Sequence, residues 1–132
     1  MRALIVDDDA ASRQVLRAHL SAVAETALAE DGANAVLAVI DALAKGESFD
    51  LVFLDILMPG MDGHQTLDKI REAEDAACLP PDKRAKAIMV TSMDDEDNHM
   101  TALFDGLVAA YIVKPVNKRE LFDKLEALGL TA

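Results

Sequence analysis

The chain has 132 residues, of which 52% are hydrophobic, and its formal net charge is −11. This length suits one domain with a core that needs no disulfide, and the single cysteine, Cys78, has no partner for one. The negative charge argues against nucleic-acid and anionic-lipid ligands, and no apolar stretch approaches the ~18 residues of a membrane span. The apolar run after Met1 and Arg2 is too short for a signal peptide, so we expect one cytoplasmic domain over residues 1–132.

Five short apolar runs predict the strands of this domain. The runs are continuous rather than alternating, which is typical of strands that are covered on both faces of a sheet. In chain order they are residues 3–6, a weaker run at 26–29, and then 51–54, 87–90 and 110–113.

Apolar residues at helical spacing predict five helices that alternate with these strands. The first helix opens near Asp9, and Gly46 ends the second. The third begins after residues 62–63, and the fourth carries the apolar residues Met100, Leu103, Phe104 and Leu107. Residues 72–86 form a long connection from the third helix to the next strand.

The fifth predicted helix has the clearest boundaries. Asn117 with Glu120 three residues later is typical of a capping box, and Gly129 is placed to end the helix in the left-handed conformation.

Alternating strands and helices predict parallel pairing through right-handed crossovers, and therefore a doubly wound α/β fold with helices on both faces. Ligands of such sheets bind beyond the carboxyl ends of the strands. Asp7, Asp8, Asp55, Thr91 and Lys114 all lie at such ends. If the acid-bearing strands are neighbours, the carboxylates converge, and their repulsion requires a bound cation or protonation.

Four motifs at these strand ends resemble the response-regulator receiver domain, and the resemblance spans the whole chain. The motifs are Val6-Asp7-Asp8, Asp55-Ile56-Leu57-Met58-Pro59-Gly60-Met61-Asp62-Gly63, Val90-Thr91-Ser92 and Tyr111-Ile112-Val113-Lys114-Pro115. The resemblance implies a flavodoxin-like five-stranded sheet with strand order 2-1-3-4-5.

The resemblance also implies a phosphorylation chemistry centred on Asp55. This carboxylate is expected to take a phosphoryl group from a sensor histidine kinase, a phosphotransfer protein or a small donor, since a carboxylate attacks without an activating base. Mg²⁺ is the expected cofactor. By the family's pattern Asp8, Asp55 and the Leu57 carbonyl bind it directly, and Asp7 acts largely through a water.

The remaining motif residues are expected to read the phosphorylated state. Lys114 pairs with Asp55 at rest and with a phosphoryl oxygen afterwards, and its bond to Pro115 is cis in relatives. Thr91 is the expected switch hydroxyl and Tyr111 the aromatic that fills the space it leaves. The fourth helix, fifth strand and fifth helix then present the change to an unknown protein target, with the chain a monomer or a phosphorylation-dependent dimer. Apart from self-phosphorylation and autodephosphorylation, no enzyme activity is expected.

Two positions near the acceptor depart from a polar pattern. Leu57 lies two residues after Asp55, and Met93 lies two residues after Thr91. In this family such positions border the path of the attacking water. We hypothesise that the apolar pair slows hydrolysis, because no side chain there orients a water. One extra residue between Gly106 and the aromatic also makes the assignment of Tyr111 less secure than that of Asp55.

Two other functions fit part of the sequence. A Mg²⁺-dependent haloacid-dehalogenase-type phosphatase would use Asp7 as nucleophile and Asp9 as acid/base. The residues after Asp9, the lack of room for a cap domain and an unused Asp55 count against it. A receiver-like module that never accepts phosphate would be expected to lack one of the motif acids, the threonine or the lysine, and none is lost.

Overall fold

The protein is described from a computed structural model, in which residues 1–92 and 108–131 are described. The predicted fourth helix, Met93 and the departure after Gly106 lie outside these residues, apart from the stretch from Val108 onward.

Five parallel strands form the sheet of the protein. They are β1 (Arg2–Val6), β2 (Glu25–Ala29), β3 (Leu51–Asp55), β4 (Lys86–Thr91) and β5 (Ala110–Val113). Their order across the sheet is β2-β1-β3-β4-β5, and every neighbouring pair is parallel. All five predicted strands are confirmed to within one residue at either end. The predicted strand order is confirmed as well.

Four helices are described, and they cover both faces of the sheet. They are α1 (Ala10–Leu20), α2 (Gly32–Ala44), α3 (Gly63–Ala76) and α4 (Lys118–Ala127), so α4 is the fifth helix of the sequence prediction. A short 3₁₀ helix, Pro81–Lys83, lies between α3 and β4. Because α3 continues to Ala76, the connection predicted over residues 72–86 is shorter than expected.

Side-chain caps start the helices where the sequence predicts. Asp9 accepts hydrogen bonds from Ala11 and Ser12 backbone N–H groups at the start of α1. Asn117 accepts from the Glu120 N–H at α4, but the reciprocal half of the predicted capping box is not among the hydrogen bonds of the described residues.

A reciprocal box forms instead at α3. There the Asp62 carboxylate accepts from the Gln65 N–H, and the Gln65 side chain accepts from the Asp62 N–H. Gly129 has a φ of +75°, as predicted for its helix end.

Alternate residues of each strand bury their side chains on opposite faces of the sheet. Ile5, Phe53 and Ile88 pack with α1 and α4, whereas Leu4 and Val52 pack with α2 and α3. This double coverage accounts for the continuous apolar runs. The packed sheet fixes the positions of its strand ends, and with them the polar residues that follow the strands.

A buried carboxylate anchors the connection between α3 and β4. Glu74 is only 2% exposed, and its Oε2 accepts a hydrogen bond from the Ala85 N–H at 2.9 Å. Arg71 Nη1 donates to Glu74 Oε1 at 2.7 Å and to the Ala85 carbonyl at 2.8 Å. The start of β4 is therefore tied to α3 through one buried ionic network.

Candidate functional site

Three carboxylates meet at the carboxyl ends of β1 and β3. The two strands are neighbours, with Val6 opposite Leu54, so Asp7 and Asp55 end up side by side. Ligand oxygens of Asp7, Asp8 and Asp55 lie within 4.8 Å of one another. Asp7 is 1% exposed and Asp55 6%, whereas Asp8 is exposed. The structure thus brings the three acids together, as the sequence predicts.

Lys114 brings a positive charge to the same crevice from the end of β5. Its ammonium lies 2.8 Å from Asp7 Oδ2 and 3.4 Å from Asp55 Oδ2. Its backbone N–H donates to the Thr91 carbonyl at 2.7 Å, which extends the β4–β5 pairing to the base of the side chain. The Lys114–Pro115 peptide bond is cis, as expected from the resemblance.

Burial and charge shift the protonation of this crevice. Desolvation, followed by repulsion from Asp7, raises the pKa of Asp55 from 3.8 to about 6, and Lys114 and the Leu57 N–H oppose the rise. Burial by itself would lower the pKa of Lys114. Its close contact with Asp7 and the charges of Asp7 and Asp55 outweigh that effect and raise the pKa above its ordinary value. The cluster therefore carries excess negative charge that a cation would neutralise.

The loop after β1 is held by contacts that sequence reasoning missed. Arg13, in the first turns of α1, donates from Nη1 to the Asp7 carbonyl at 2.6 Å. Asp7 Oδ1 accepts from the Asp9 N–H at 2.9 Å. The sequence places Arg13 in the first turns of the predicted helix, but only the tertiary structure identifies the carbonyl to which it donates.

Asp9 stands apart from the acid cluster although it adjoins Asp8. Both of its carboxylate oxygens accept hydrogen bonds, from the Ala11 N–H and from the N–H and hydroxyl of Ser12. The Ser12 hydroxyl is the main cause that lowers the pKa of Asp9. A capping carboxylate of this kind is poorly suited to the acid/base role that the phosphatase alternative requires.

Gly63 allows α3 to begin close to the backbone of Asp55. Its N–H donates to the Ile56 carbonyl at 2.9 Å, and a Cβ at this position would lie 2.6 Å from the Asp55 carbonyl oxygen. Only glycine permits this approach. Gly63, at the end of the second motif, therefore has a steric role that the sequence analysis did not assign.

Leu57 lies beside Asp55 with its side chain 59% exposed, and its N–H donates to Asp55 Oδ1 at 3.3 Å. Thr91 ends β4, is 1% exposed, and donates from Oγ1 to the Ser92 carbonyl at 3.2 Å. Tyr111 lies buried on β5 opposite Met89. These three positions agree with the expected placement, and their roles remain predictions.

The donor set of the crevice fits a hard divalent cation. Asp7, Asp8 and Asp55 offer carboxylate oxygens, the ligand type that Mg²⁺ prefers. Asp7 Oδ2 is buried and, among the described residues, accepts no well-directed hydrogen bond although it faces the Lys114 ammonium. A buried carboxylate oxygen with spare acceptor capacity is what a cation site requires.

Comparison with known proteins identifies the family. The chain matches the family model of the response regulator receiver domain over residues 3–126. It belongs to this family. Receiver domains are parts of two-component signalling systems and act as switches rather than as conventional enzymes.

Curated relatives agree over nearly the whole receiver domain. The chain is 38% identical to the response regulator protein FleR of Pseudomonas aeruginosa, over 97% of this chain and 25% of that protein. It is 34% identical to the transcriptional regulatory protein ResD of Bacillus subtilis, over 95% of this chain and 46% of that protein. The chain thus spans less than half the length of these relatives.

Solved structures share the receiver fold. The CheX-CheY-BeF3-Mg complex from Borrelia burgdorferi matches with a TM-score of 0.78 and 27% identity, over 99% of this chain and 90% of that one. Among the described residues, no helix has the length and apolar character needed to cross a bilayer.

Proposed function

We propose that this receiver domain is a phospho-accepting switch in which Asp55 takes a phosphoryl group with the help of Mg²⁺. The observation that carries the proposal is the meeting of Asp7, Asp8 and Asp55 within 4.8 Å, with Lys114 in contact with two of them. Isolated surface acids have no reason to converge beside a partly buried ammonium at the end of a parallel sheet.

Asp55 is the proposed nucleophile because the resemblance to the receiver family assigns the phosphoryl acceptor to this position, and its contacts leave it within reach of a donor. The Leu57 N–H holds Oδ1, and Oδ2 faces Lys114. In the reaction a carboxylate oxygen of Asp55 forms a bond to phosphorus, the bond from phosphorus to the donor breaks, and the donor keeps the electron pair.

Two anions approach each other in this step, so the crevice must supply positive charge. Asp7, Asp8 and Asp55 would hold Mg²⁺, with the Leu57 carbonyl as a further ligand, and the ion supplies charge neutralisation when bound. Lys114 supplies a second cation on a flexible stem. Its ammonium lies 3.4 Å from Asp55 Oδ2. The flexible side chain allows the ammonium to move from this oxygen to an oxygen of the transferred phosphoryl group.

Thr91 and Tyr111 are the proposed reporters of the phosphorylated state. Thr91 lies at the end of β4, the strand next to β3, so its hydroxyl is well placed to donate to a group on Asp55. A new contact made only in the phosphorylated form shifts the population towards the arrangement that allows it. The output face would comprise the predicted fourth helix, β5 and α4.

The proposed partners are a sensor histidine kinase or phosphotransfer protein upstream and a protein target downstream. The complex of the Borrelia CheY with CheX is an example of a structural neighbour bound to another protein. Cytoplasmic residence follows from this partnership and is part of the proposal.

Phosphorylation by a small donor tests the proposal. The protein is incubated with Mg²⁺ and acetyl phosphate, and the modified residue is located by intact mass and peptide mapping. We expect one phosphoryl group on Asp55, none after chelation of Mg²⁺, and none on the Asp55→Asn variant. Asp123→Asn, an exposed change on α4, is the matched control and should label normally. Labelling of Asp7, or catalytic turnover of a phosphate ester, would overturn the proposal in favour of the phosphatase.

A further inference from the structure

Asp8 is the least constrained member of the acid cluster. Asp7 and Asp55 are buried, and the carboxylates of both lie against the Lys114 ammonium. The Asp8 side chain is exposed, and it forms no hydrogen bond or ion pair with any residue that the structure describes. Its position within 4.8 Å of the other two carboxylates therefore depends on the backbone around it.

Two hydrogen bonds hold this backbone, one on each side of Asp8. Arg13 Nη1 donates to the Asp7 carbonyl at 2.6 Å, and that carbonyl belongs to the peptide unit that joins Asp7 to Asp8. The Asp9 N–H donates to Asp7 Oδ1 at 2.9 Å, and that N–H belongs to the peptide unit that joins Asp8 to Asp9. Because peptide units are planar, fixing both of them fixes the direction of the Asp8 Cα–Cβ bond.

Arg13 reaches the loop from the first turns of α1. Its own N–H donates to the Asp9 carbonyl at 3.1 Å, which anchors the base of the side chain. Side chains of a helix tilt towards its N-terminus, so the half-buried arginine points back to the loop in front of the helix. The helix dipole disfavours a cation near this end, so helix formation does not account for an arginine here.

The acceptor of Arg13 is a neutral carbonyl rather than a carboxylate. Lys114 contacts two of the acids, whereas Arg13 forms no ion pair with an acid in the described part of the chain. A direct pair between a guanidinium and Asp8 would compete with a bound cation for the same oxygens. The contact with the carbonyl orders the loop and leaves the Asp8 oxygens available to a cation.

We propose that Arg13 is a positioning residue of the magnesium site, because it orders the Asp7–Asp8 peptide and so places the Asp8 carboxylate before the ion binds. This inference rests on the Mg²⁺ site of the proposed function. A ligand that is already ordered loses less conformational entropy on binding, so this contact raises the affinity for the ion. The charge of Arg13 has the opposite effect, since a guanidinium near the site repels a divalent cation.

Titration of the unphosphorylated chain with Mg²⁺ separates the two effects. Backbone amide chemical shifts follow the titration, because they report weak as well as tight binding. Arg13→Met keeps an apolar stem but loses the donor and the charge. We expect its Mg²⁺ dissociation constant to rise roughly tenfold, as when an outer partner of a metal ligand is removed. An unchanged or lower dissociation constant would show that only the charge matters, and would overturn the proposal.

Two further variants serve as matched controls. Arg17→Met removes the same charge from an exposed position four residues further along α1, and its dissociation constant should stay within roughly twofold of the original. Arg13→Lys keeps a charged donor and should restore the affinity to within roughly threefold of the original chain. A loss of affinity in Arg17→Met as large as that in Arg13→Met would count against the loop contact.

A double-mutant cycle tests whether Arg13 acts through Asp8. In the Asp8→Asn chain the carboxylate to be placed is missing, so the addition of Arg13→Met should change the dissociation constant by less than roughly twofold. A tenfold effect in both backgrounds would overturn the proposal. Urea denaturation without Mg²⁺ confirms that each variant is folded. Arg13→Gln, whose shorter side chain also loses the contact, replaces Arg13→Met if that variant does not fold.

The outcomes distinguish this inference from the proposed function. An original chain that does not bind Mg²⁺ would overturn both. An original chain that binds the ion, together with an Arg13→Met variant that binds it equally well, would overturn the role of Arg13 alone.

Discussion

Lys114 lies closer to Asp7, at 2.8 Å, than to Asp55, at 3.4 Å. The sequence predicts Asp55 as the resting partner of this lysine, and the structure shows an ammonium shared between the two buried acids with the shorter contact to Asp7. Lys114 is therefore a link between the ends of β1 and β3 before any phosphoryl group arrives.

Loss of this shared ammonium should destabilise the protein. Lys114→Gln leaves two buried carboxylates without their cation. We therefore expect the free energy of unfolding in metal-free buffer at pH 7.5 to be about 1 to 3 kcal/mol lower than in the original chain. Urea denaturation measures the difference. Lys118→Gln, an exposed change four residues away, should alter the free energy of unfolding by less than about 0.5 kcal/mol. Equal effects of the two variants would contradict a shared ammonium.

Asp55→Asn should stabilise the metal-free protein in a pH-dependent way. The pKa of Asp55 is raised to about 6 in the fold from its ordinary 3.8. The folded chain therefore binds more protons than the unfolded chain between those values, and stability falls as the pH rises through about 4 to 6. Asparagine cannot ionise, and partial solvent screening reduces the full effect to a gain of about 1 to 2 kcal/mol at pH 7.5.

Denaturation curves of Asp55→Asn and the original chain at several pH values, in chelator, check this expectation. The two curves should converge as the pH falls below about 3, where the carboxyl is protonated in both states. Asp123→Asn is the control and should show no such pH dependence. A constant difference between Asp55→Asn and the original chain at every pH would argue against a raised pKa.

Magnesium affinity should distinguish two neighbouring acids. Asp8→Asn removes a member of the carboxylate cluster and should weaken Mg²⁺ binding at least roughly tenfold. Asp9→Asn makes the same change in charge one residue away, but Asp9 caps α1, so its effect on affinity should stay within roughly threefold. Isothermal titration measures both, and similar losses would show that only net charge matters.

The α3–β4 connection should depend on Glu74. Glu74→Ala removes the acceptor of the buried Ala85 N–H and the partner of Arg71, which should lower the free energy of unfolding by about 2 to 4 kcal/mol. Glu72→Ala removes only an exposed pair with Lys69 and should cost less than about 0.5 kcal/mol. Chemical denaturation compares the two, and a mild Glu74 variant would mean that water replaces the lost contacts.

Leu57 and Met93 should control the lifetime of the phosphorylated form. Replacing both with polar residues introduces groups able to orient a water, so dephosphorylation should accelerate. Loss of phosphoryl group from labelled protein is followed over time by intact mass. Leu37→Gln on α2, outside the pocket that Asp7 and Lys114 line, serves as the control for a change in exposed apolar surface. An unchanged rate in the double variant would refute the hypothesis.

The strands, the helix starts and the candidate site residues could be predicted from the sequence, because each depends on residues close together in the chain. Strands covered on both faces must be apolar at every position, so residues 51–54 and the other continuous runs identify them. Helix starts need side-chain acceptors, so Asp9 marks one. Because strand ends carry the ligand crevice of a parallel sheet, Asp55 and Lys114 were identifiable before any distance was known.

Interactions between segments far apart in the chain required the tertiary structure. The preference of Lys114 for Asp7, the contact of Arg13 with the Asp7 carbonyl and the burial of Glu74 have no local signature, since each depends on how separate elements pack. The raised pKa of Asp55 likewise comes from burial and from Asp7, 48 positions away in the sequence. Residue types and spacing determined which groups this protein brings to its crevice, and packing decided how strongly each one acts on the others.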